Sequence, residues 1–557
     1  MPAPSSASES VASPVSWGAC AEWGALIAVF FLYAGDPVPA VNEAHYLVKA
    51  KNFWDPAWCS NDLLAASGKA HVTYYVTFGW LTRFCSLATT AWIGRLVGWA
   101  LIALGLQRCC RALRLPRFYS LGVAVLWIAG VEYGNLAGEW VIGGIEAKVP
   151  AYGLVLIGMS EVMRRHWSRA WVWFGAASAF HVLTGGWAVV AAIFSFLVCE
   201  RWLRPKEVPP KPFFTWGLWV GGALSLLGLA PAILLTMSAT PAESVLAAKI
   251  YTYVRLRHHL LPSDFPWSWY LRHGVLVGML LVWMGADRKL LARRPAEWMA
   301  LGAVLIAGGG LLVGTLQPTH PDLTARLLRY YWFRLTDALV PLVVAFIVMQ
   351  KLAGVKGSPV GAEAVVPDRA AKTGGGGRTP VAVGAAALTL LFGLGLFGWS
   401  SLQRVRLGLP PSTSHRLLGI HPEAGIAEQH RSHADWVAVC DWVRVAMPED
   451  EVFLTPRHQQ TFKWYAERAE VVNWKEVPQD AVALLEWRRR FEEIFPERLG
   501  TTRVSIQYTI LREIRQRYGA RFMVVDRRVT GQQLPLVKVY PVGSQTNATY
   551  AVYELPY

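Results

Sequence analysis

The sequence predicts an all-α polytopic membrane domain of about eleven transmembrane helices, followed by a small C-terminal extracytoplasmic α/β domain. Three observations lead there. Of 557 residues, 54% are hydrophobic and only 17% charged, and the apolar residues are gathered into blocks. Windows of about 18 to 20 apolar residues, enough to cross about 30 Å of hydrocarbon, recur up to about residue 400. Basic clusters fall in alternate loops.

The spans fall near residues 17–34, 88–106, 118–134, 147–163, 169–184, 186–200, 214–237, 273–286, 298–315, 335–350 and 381–400. Between them lie Arg108, Arg111, Arg114 and Arg117; Arg164, Arg165 and Arg169; Arg201, Arg204, Lys206 and Lys211; Arg288, Lys289, Arg293 and Arg294; and Lys351, Lys356, Arg369, Lys372 and Arg378. The positive-inside rule makes these loops cytoplasmic. It also accounts for the net charge of +16 without nucleic acid, which is not expected as a partner. The N-terminus is then cytoplasmic, and an odd number of spans puts the C-terminal domain outside. The opening "MPAPSSASESVASPVSW" has no basic n-region, so the first span is expected to be retained.

Residues 1–350 read as the membrane domain with elaborate outer loops, 351–380 as a Gly-rich, flexible cytoplasmic linker, 381–400 as the last span and 401–557 as the soluble outer domain. In the last, the short apolar runs "EVFLTP", "AEVVNW", "RFMVVD", "LVKVYPV" and "TYAVYEL" interleave with helical stretches at "HQQTFKWYAER", "DAVALLEWRRRFEEIF" and near 506–518. That alternation predicts an α/β domain. Seven cysteines show no metal spacing, and Cys109 and Cys110 read as apolar filling. No Walker loop or Rossmann fingerprint is present, so ATP-driven chemistry has no sequence support.

Ionisable residues beside hydrocarbon are costly, so each outer cluster is a candidate site, with structural pairing as the competing reading. After Pro39, Asn42 can cap a helix to about Phe53 that carries Glu43 in its first turn, with Asp36 just before it. A carboxylate there can take a proton from a hydroxyl, or it can simply complement the helix dipole. Trp54 and Trp58 read as interfacial anchors. "NLAGEWVIGGIEAKVPAY" brings Glu139, Glu146 and Lys148 around a Gly-Gly turn, either as a catalytic set or as an ion pair. His181 sits beside a second Gly-Gly turn.

Two later loops carry Lys249, Arg255, Arg257, His258, His259 and His273, then Arg326, Arg329 and Arg334. These cations contradict the positive-inside trend, which points to an anionic partner. Arginine forks with Tyr330, Tyr331 and Trp332 at headgroup depth suit a lipid-linked phosphate, or else ordinary anionic lipid and pairing with Asp322 and Asp337. Adjacent histidines point apart, so the pair His258 and His259 by itself is weak evidence for a metal site; a divalent ion, Mg or Mn, held through Asp36 and Glu146 is geometrically open.

The first-loop acid, the second acidic loop and the tail from Trp442 to Trp474 together resemble the GT-C superfamily of polytopic glycosyltransferases. The resemblance implies a GT-C-like fold and transfer of a sugar, hexosyl or pentosyl, from a polyprenyl-phosphate carrier to a cell-envelope glycan, lipid or protein outside the cytoplasm. In that reading Glu43 or Asp36 is the general base on the acceptor hydroxyl, and Glu146 belongs to the catalytic set as the second acidic motif. Lys148, His181, Arg255, His258, His259, Arg329 and Arg334 hold the donor. The first-loop motif reads "NEAHY" instead of an adjacent acidic pair. The "NEAHYL", "EAKVPAY" and "RYYWFRLTD" signatures are also similar to those of a bacterial family without assigned activity, which implies the bacterial cytoplasmic (inner) membrane. The rival from the residues alone is a non-catalytic transporter or lipid-binding membrane protein that recognises anionic headgroups.

Overall fold

The structure, a computed structural model, describes residues 17–204, 206, 209–285, 294–355, 380–411, 425–495, 508–530 and 533–557. Most of the predicted linker, with Lys356, Arg369, Lys372 and Arg378, and the basic residues Arg288, Lys289 and Arg293 lie outside the described residues.

Among the described residues seven helices are long and apolar enough to cross a membrane: Trp17–Ala34, Leu87–Ala112, Val182–Trp202, Trp216–Met237, Pro295–Thr315, Arg334–Ala353 and Pro380–Leu407. Tyr119–Gly134 is a shorter apolar helix. The windows near 147–163, 169–184 and 273–286 coincide with the helices Lys148–Met163, Trp167–Phe180 and Trp267–Gly285. Lys148–Met163 is buried along its whole length, which is why its apolar residues show no single face.

Charged side chains distant in sequence gather in two groups. At one end Arg108 pairs with Glu161 at 2.5 Å and Arg165 with Glu200 at 2.6 Å, while Glu22 accepts from Gln107 at 3.0 Å and from the Ser120 hydroxyl at 2.6 Å. Arg108, Glu161, Arg165 and Glu200 lie in or beside the alternate basic loops, and Glu22 reaches the first of them from the helix Trp17–Ala34. Glu43, Glu146, His181 and Arg334 belong to the other end.

The helices Trp167–Phe180 and Trp216–Met237 touch backbone to backbone. Gly217, Gly221 and Gly228, four and then seven residues apart, form one face of the second helix. A Cβ on Gly217 would lie 1.8 Å from the Ser168 carbonyl oxygen, on Gly221 2.2 Å from that of Trp171, and on Gly228 2.3 Å from that of Ser178. Small residues permit this approach where no hydrophobic force drives helices together.

The C-terminal domain is built on a mixed sheet of strands β1 (Val452–Leu454), β2 (Ala469–Glu470), β3 (Ala520–Asp526), β4 (Val537–Tyr540) and β5 (Tyr550–Glu554), in the order β2-β1-β3-β5-β4. β1 runs parallel to β2 and β3, and β5 runs antiparallel to β3 and β4. Alternate side chains face opposite ways. Phe453, Phe522 and Val524 pack with Trp436, Val439, Cys440 and Val443 of the helix Ile426–Ala446. Val452, Leu454, Met523 and Val525 pack with Leu484, Trp487 and Phe491 of Ala481–Ile494 and with Leu511 and Ile514 of Tyr508–Tyr518. That second core also takes in Ala247 and Ile250, so the domain is docked on the membrane part. The helix Ile426–Ala446 is absent from the sequence reading, although the spacing of its four core residues has helical period.

Gly221→Leu should drive a side chain into the neighbouring backbone and destabilise the pair by about 1–3 kcal/mol or more. Gly222→Leu, at an exposed position with nothing within 4 Å, should be near neutral. Thermal unfolding in detergent compares the two.

Candidate functional site

At the end opposite the basic loops, a cavity of about 260 Å³ opens between the helix termini and the C-terminal domain. Of the residues expected from the sequence, Glu146, Lys148, His181, Arg255, His258, His259 and Arg334 line it together. Glu139, Asn42, Trp140, Tyr331, Lys475 and Glu476 line it as well.

The walls follow from local structure. Asp337 accepts from the backbone N–H groups of Leu136 (2.6 Å) and Ala137 (2.9 Å), which fixes the start of the acidic loop. Gly138 follows with φ of +74°, and a Cβ there would sit 2.9 Å from the His259 ring, so glycine is required on two counts. Tyr331 holds a left-handed φ of 53°, a conformation costing of order 1 kcal/mol or more in a non-glycine residue. That turn lays its ring 4.1 Å from the Arg334 guanidinium. On the remaining side Tyr251 and Arg255 come from a π-helical turn, Ile250–Arg255, and Arg255 donates to the Trp474 carbonyl at 2.9 Å. Single π turns recur at functional sites.

The charges form one network. Lys148 lies 2.5 Å from Glu139 and 3.0 Å from Glu146, and Arg334 lies 2.6 Å from the other Glu139 oxygen. Burial alone would raise the Glu139 carboxyl, but Arg334 and Lys148 outweigh it and hold the group below the usual carboxylate range. Glu146 has a looser setting, accepting from the Asn42 amide at 2.7 Å. Asn42 therefore does not cap its helix as the sequence suggests; its side chain is spent on Glu146.

Burial, then the charge of Arg334, push His181 well below its ordinary range, so the ring is neutral. Its Nδ1 accepts from the Thr184 N–H at 3.1 Å, which leaves the ring proton on Nε2. Nε2 faces Arg334 Nη1 at 3.1 Å. Two donors thus converge with no acceptor between them, an arrangement that an anion relieves. Burial, then His258, push His259 down to about 4, and its Nδ1 meets the Ala137 carbonyl at 2.5 Å, leaving Nε2 as a lone-pair acceptor. Counting side chains, the cations Lys148, Arg255, Arg334 and Lys475 face the carboxylates of Glu139 and Glu146, with Glu476 beside them, and the neutral histidines add nothing to either sign.

Three expected site residues lie elsewhere. Glu43 does not line the cavity and is not placed to act as a base. Both it and Arg95 are 0% exposed, and its oxygens accept from Arg95 twice at 2.7 Å and from the N–H groups of Ile145 (2.7 Å) and Ala40 (2.6 Å). Every lone pair is used. Asp36 pairs with Arg404 at 2.9 Å and does not line the cavity. Arg329 lies 5.9 Å from the Tyr330 ring and does not reach the cavity. The supposed interfacial anchors are also engaged by the protein, Trp54 donating to the Tyr75 carbonyl at 2.7 Å and Trp58 to Glu467 at 3.3 Å. Among the described residues no group of three His, Cys, Asp or Glu side chains is arranged to hold a metal ion.

The fold and site define a multi-pass membrane protein with a charged cavity under a docked α/β domain. Residues 434–494 match a family described as Domain of unknown function (DUF6798). That segment supplies Gln460, Lys475, Glu476, Val477 and Gln479 to the cavity wall. No curated protein matches the chain.

Arg95→Met should leave the Glu43 carboxylate buried without a counter-charge and destabilise the protein by about 3–5 kcal/mol. Adding Glu43→Gln should restore part of the loss, because the amide oxygen still accepts backbone N–H groups without bringing a charge. Unfolding midpoints of the single and double variants measure the coupling.

Proposed function

We propose that the protein is a membrane glycosyltransferase of the GT-C type, moving a sugar from a polyprenyl-phosphate donor to an acceptor hydroxyl on the outer side of a bacterial inner membrane. The observation that carries this reading is the convergence of Lys148, Arg255, Arg334 and Lys475 with the carboxylate of Glu146 in a single cavity at the end of the helices. In the proposed topology the helix set crosses eleven times, the basic loops are cytoplasmic, and the cavity and the C-terminal domain lie outside.

The base is Glu146 in place of Glu43. Its carboxylate takes the proton of the acceptor hydroxyl as that oxygen bonds to the anomeric carbon. The bond from the anomeric carbon to the phosphate oxygen breaks, and the electron pair leaves with polyprenyl phosphate. The charge gathering on that phosphate is met by Lys148, by Arg334 and by the Nε2–H of His181, donors already fixed in place before the reaction. Glu139 positions Lys148 and Arg334 by pairing with both.

Mass spectrometry of lipid extracts tests this reading. Cells lacking the protein should accumulate a polyprenyl-phosphate sugar that the wild-type chain clears. Glu146→Gln should clear it slower by a factor of about 100 or more. Clearance at the wild-type rate would remove Glu146 from the role of base. No accumulation in the deleted strain would instead favour a protein that binds anionic headgroups without reaction.

A further inference from the structure

One wall of the cavity is the stretch Lys475 to Gln479, between β2 and the helix Ala481–Ile494. It joins a nearly buried ion cluster. Lys463 Nζ is 3.0 Å from Asp62 Oδ2 and 2.6 Å from Glu470 Oε1, and it also meets Glu476 Oε2; all four side chains are at most 3% exposed. One ammonium faces three carboxyl groups, and of the three only Glu476 also lines the cavity. Like charges this close do not all ionise, so a proton stays in the cluster.

The hydrogen bonds show where it stays. Asp62 accepts backbone N–H groups on both oxygens, from Ala65 at 2.8 Å and from Glu470 at 3.1 Å. Glu470 accepts from Lys463 on one oxygen and from the Thr455 hydroxyl on the other. Glu476 has Lys463 on Oε2 alone, and its Oε1 is buried without a hydrogen-bond partner. The other cations nearby do not change this. Lys49 spends its ammonium on Leu64, Ser67 and the Ser67 hydroxyl, and Lys475 is on the cavity side. Burial pushes the Glu476 carboxyl well up, Glu470 and Asp62 add to the rise, and Lys463 offsets only part of it.

We propose that Glu476 is a neutral carboxylic acid whose Oε1 proton is a hydrogen-bond donor supplied to the cavity by the C-terminal domain, reading an oxygen of the bound headgroup without adding charge. Lys463, Asp62 and Glu470 act as positioning residues, holding that protonation state. The identity of the headgroup rests on the glycosyltransferase reading; the protonation state does not.

Two measurements on the full-length protein in nanodiscs separate these. Infrared spectroscopy at neutral pH should show the carbonyl stretch of a protonated carboxyl group in the wild type and in Glu146→Gln, lost in Glu476→Gln. Binding of undecaprenyl phosphate should weaken about threefold to tenfold in Glu476→Ala, the loss of one neutral hydrogen bond, and be largely rescued by Glu476→Gln, which keeps a neutral donor of the same shape. A band that persists in Glu476→Gln, or a Gln variant as weak as the Ala variant, overturns the proposal. A wild-type protein that binds no undecaprenyl phosphate overturns the headgroup role and the reading beneath it, while the infrared band still decides the protonation state.

Discussion

The buried pair of Glu43 and Arg95 is the constraint on which the cavity end depends. Arg95 sits within the 26-residue helix Leu87–Ala112, and it is desolvated completely. A pair in that setting is sustained only when the remaining lone pairs and protons are satisfied. Here they are: Glu43 accepts four hydrogen bonds, and Arg95 spends its third nitrogen on the Asp36 carbonyl at 2.6 Å. The pair therefore binds the loop after the first helix, the apolar helix Leu87–Ala112 and the Gly144–Ile145 turn into one unit. A Cβ on Gly144 would sit 2.8 Å from the Glu43 carboxyl, so the turn closes only over glycine. Because that turn runs directly into Glu146 and Lys148, the position of the charged cavity wall is inherited from Glu43.

Around the cavity the electrostatics are uneven by construction. Glu139 serves two cations at once, and His181 turns a donor toward another donor. An apolar ligand would leave that donor pair unrelieved, whereas an oxyanion accepts from both. Aromatic rings carry the cations without neutralising them, Trp140 under Lys148 at 3.9 Å and Tyr331 under Arg334 at 4.1 Å. The cations stay available to a ligand while their side chains are held in place.

Much of this was legible in the sequence. Each short apolar run of the tail lies on or against the sheet, and of the cations that broke the charge rule Arg255, His258, His259 and Arg334 converge on the cavity, whereas Lys249 pairs with Asp322 and Arg257 with Asp264. The role of Glu43 was misread because its partner lies 52 positions away. The one available signal was Arg95 itself, a lone charge inside an apolar window, which must be paired. Lys475 and Glu476 carried no local mark at all, since only the docking of the domain through Ala247 and Ile250 brings them to the cavity. The helix Ile426–Ala446 leaves little trace in the sequence despite its spacing, because its mean character is polar and its buried apolar face is confined to Trp436, Val439, Cys440 and Val443.

The central claim is that the cavity holds a phosphate at the converging donors of Arg334 and His181. A cryo-electron microscopy map of the protein in nanodiscs containing undecaprenyl phosphate tests it most directly. The account predicts phosphate density between Arg334 Nη1 and His181 Nε2, within reach of Lys148. Headgroup density elsewhere on the protein, with the cavity holding none, would contradict it.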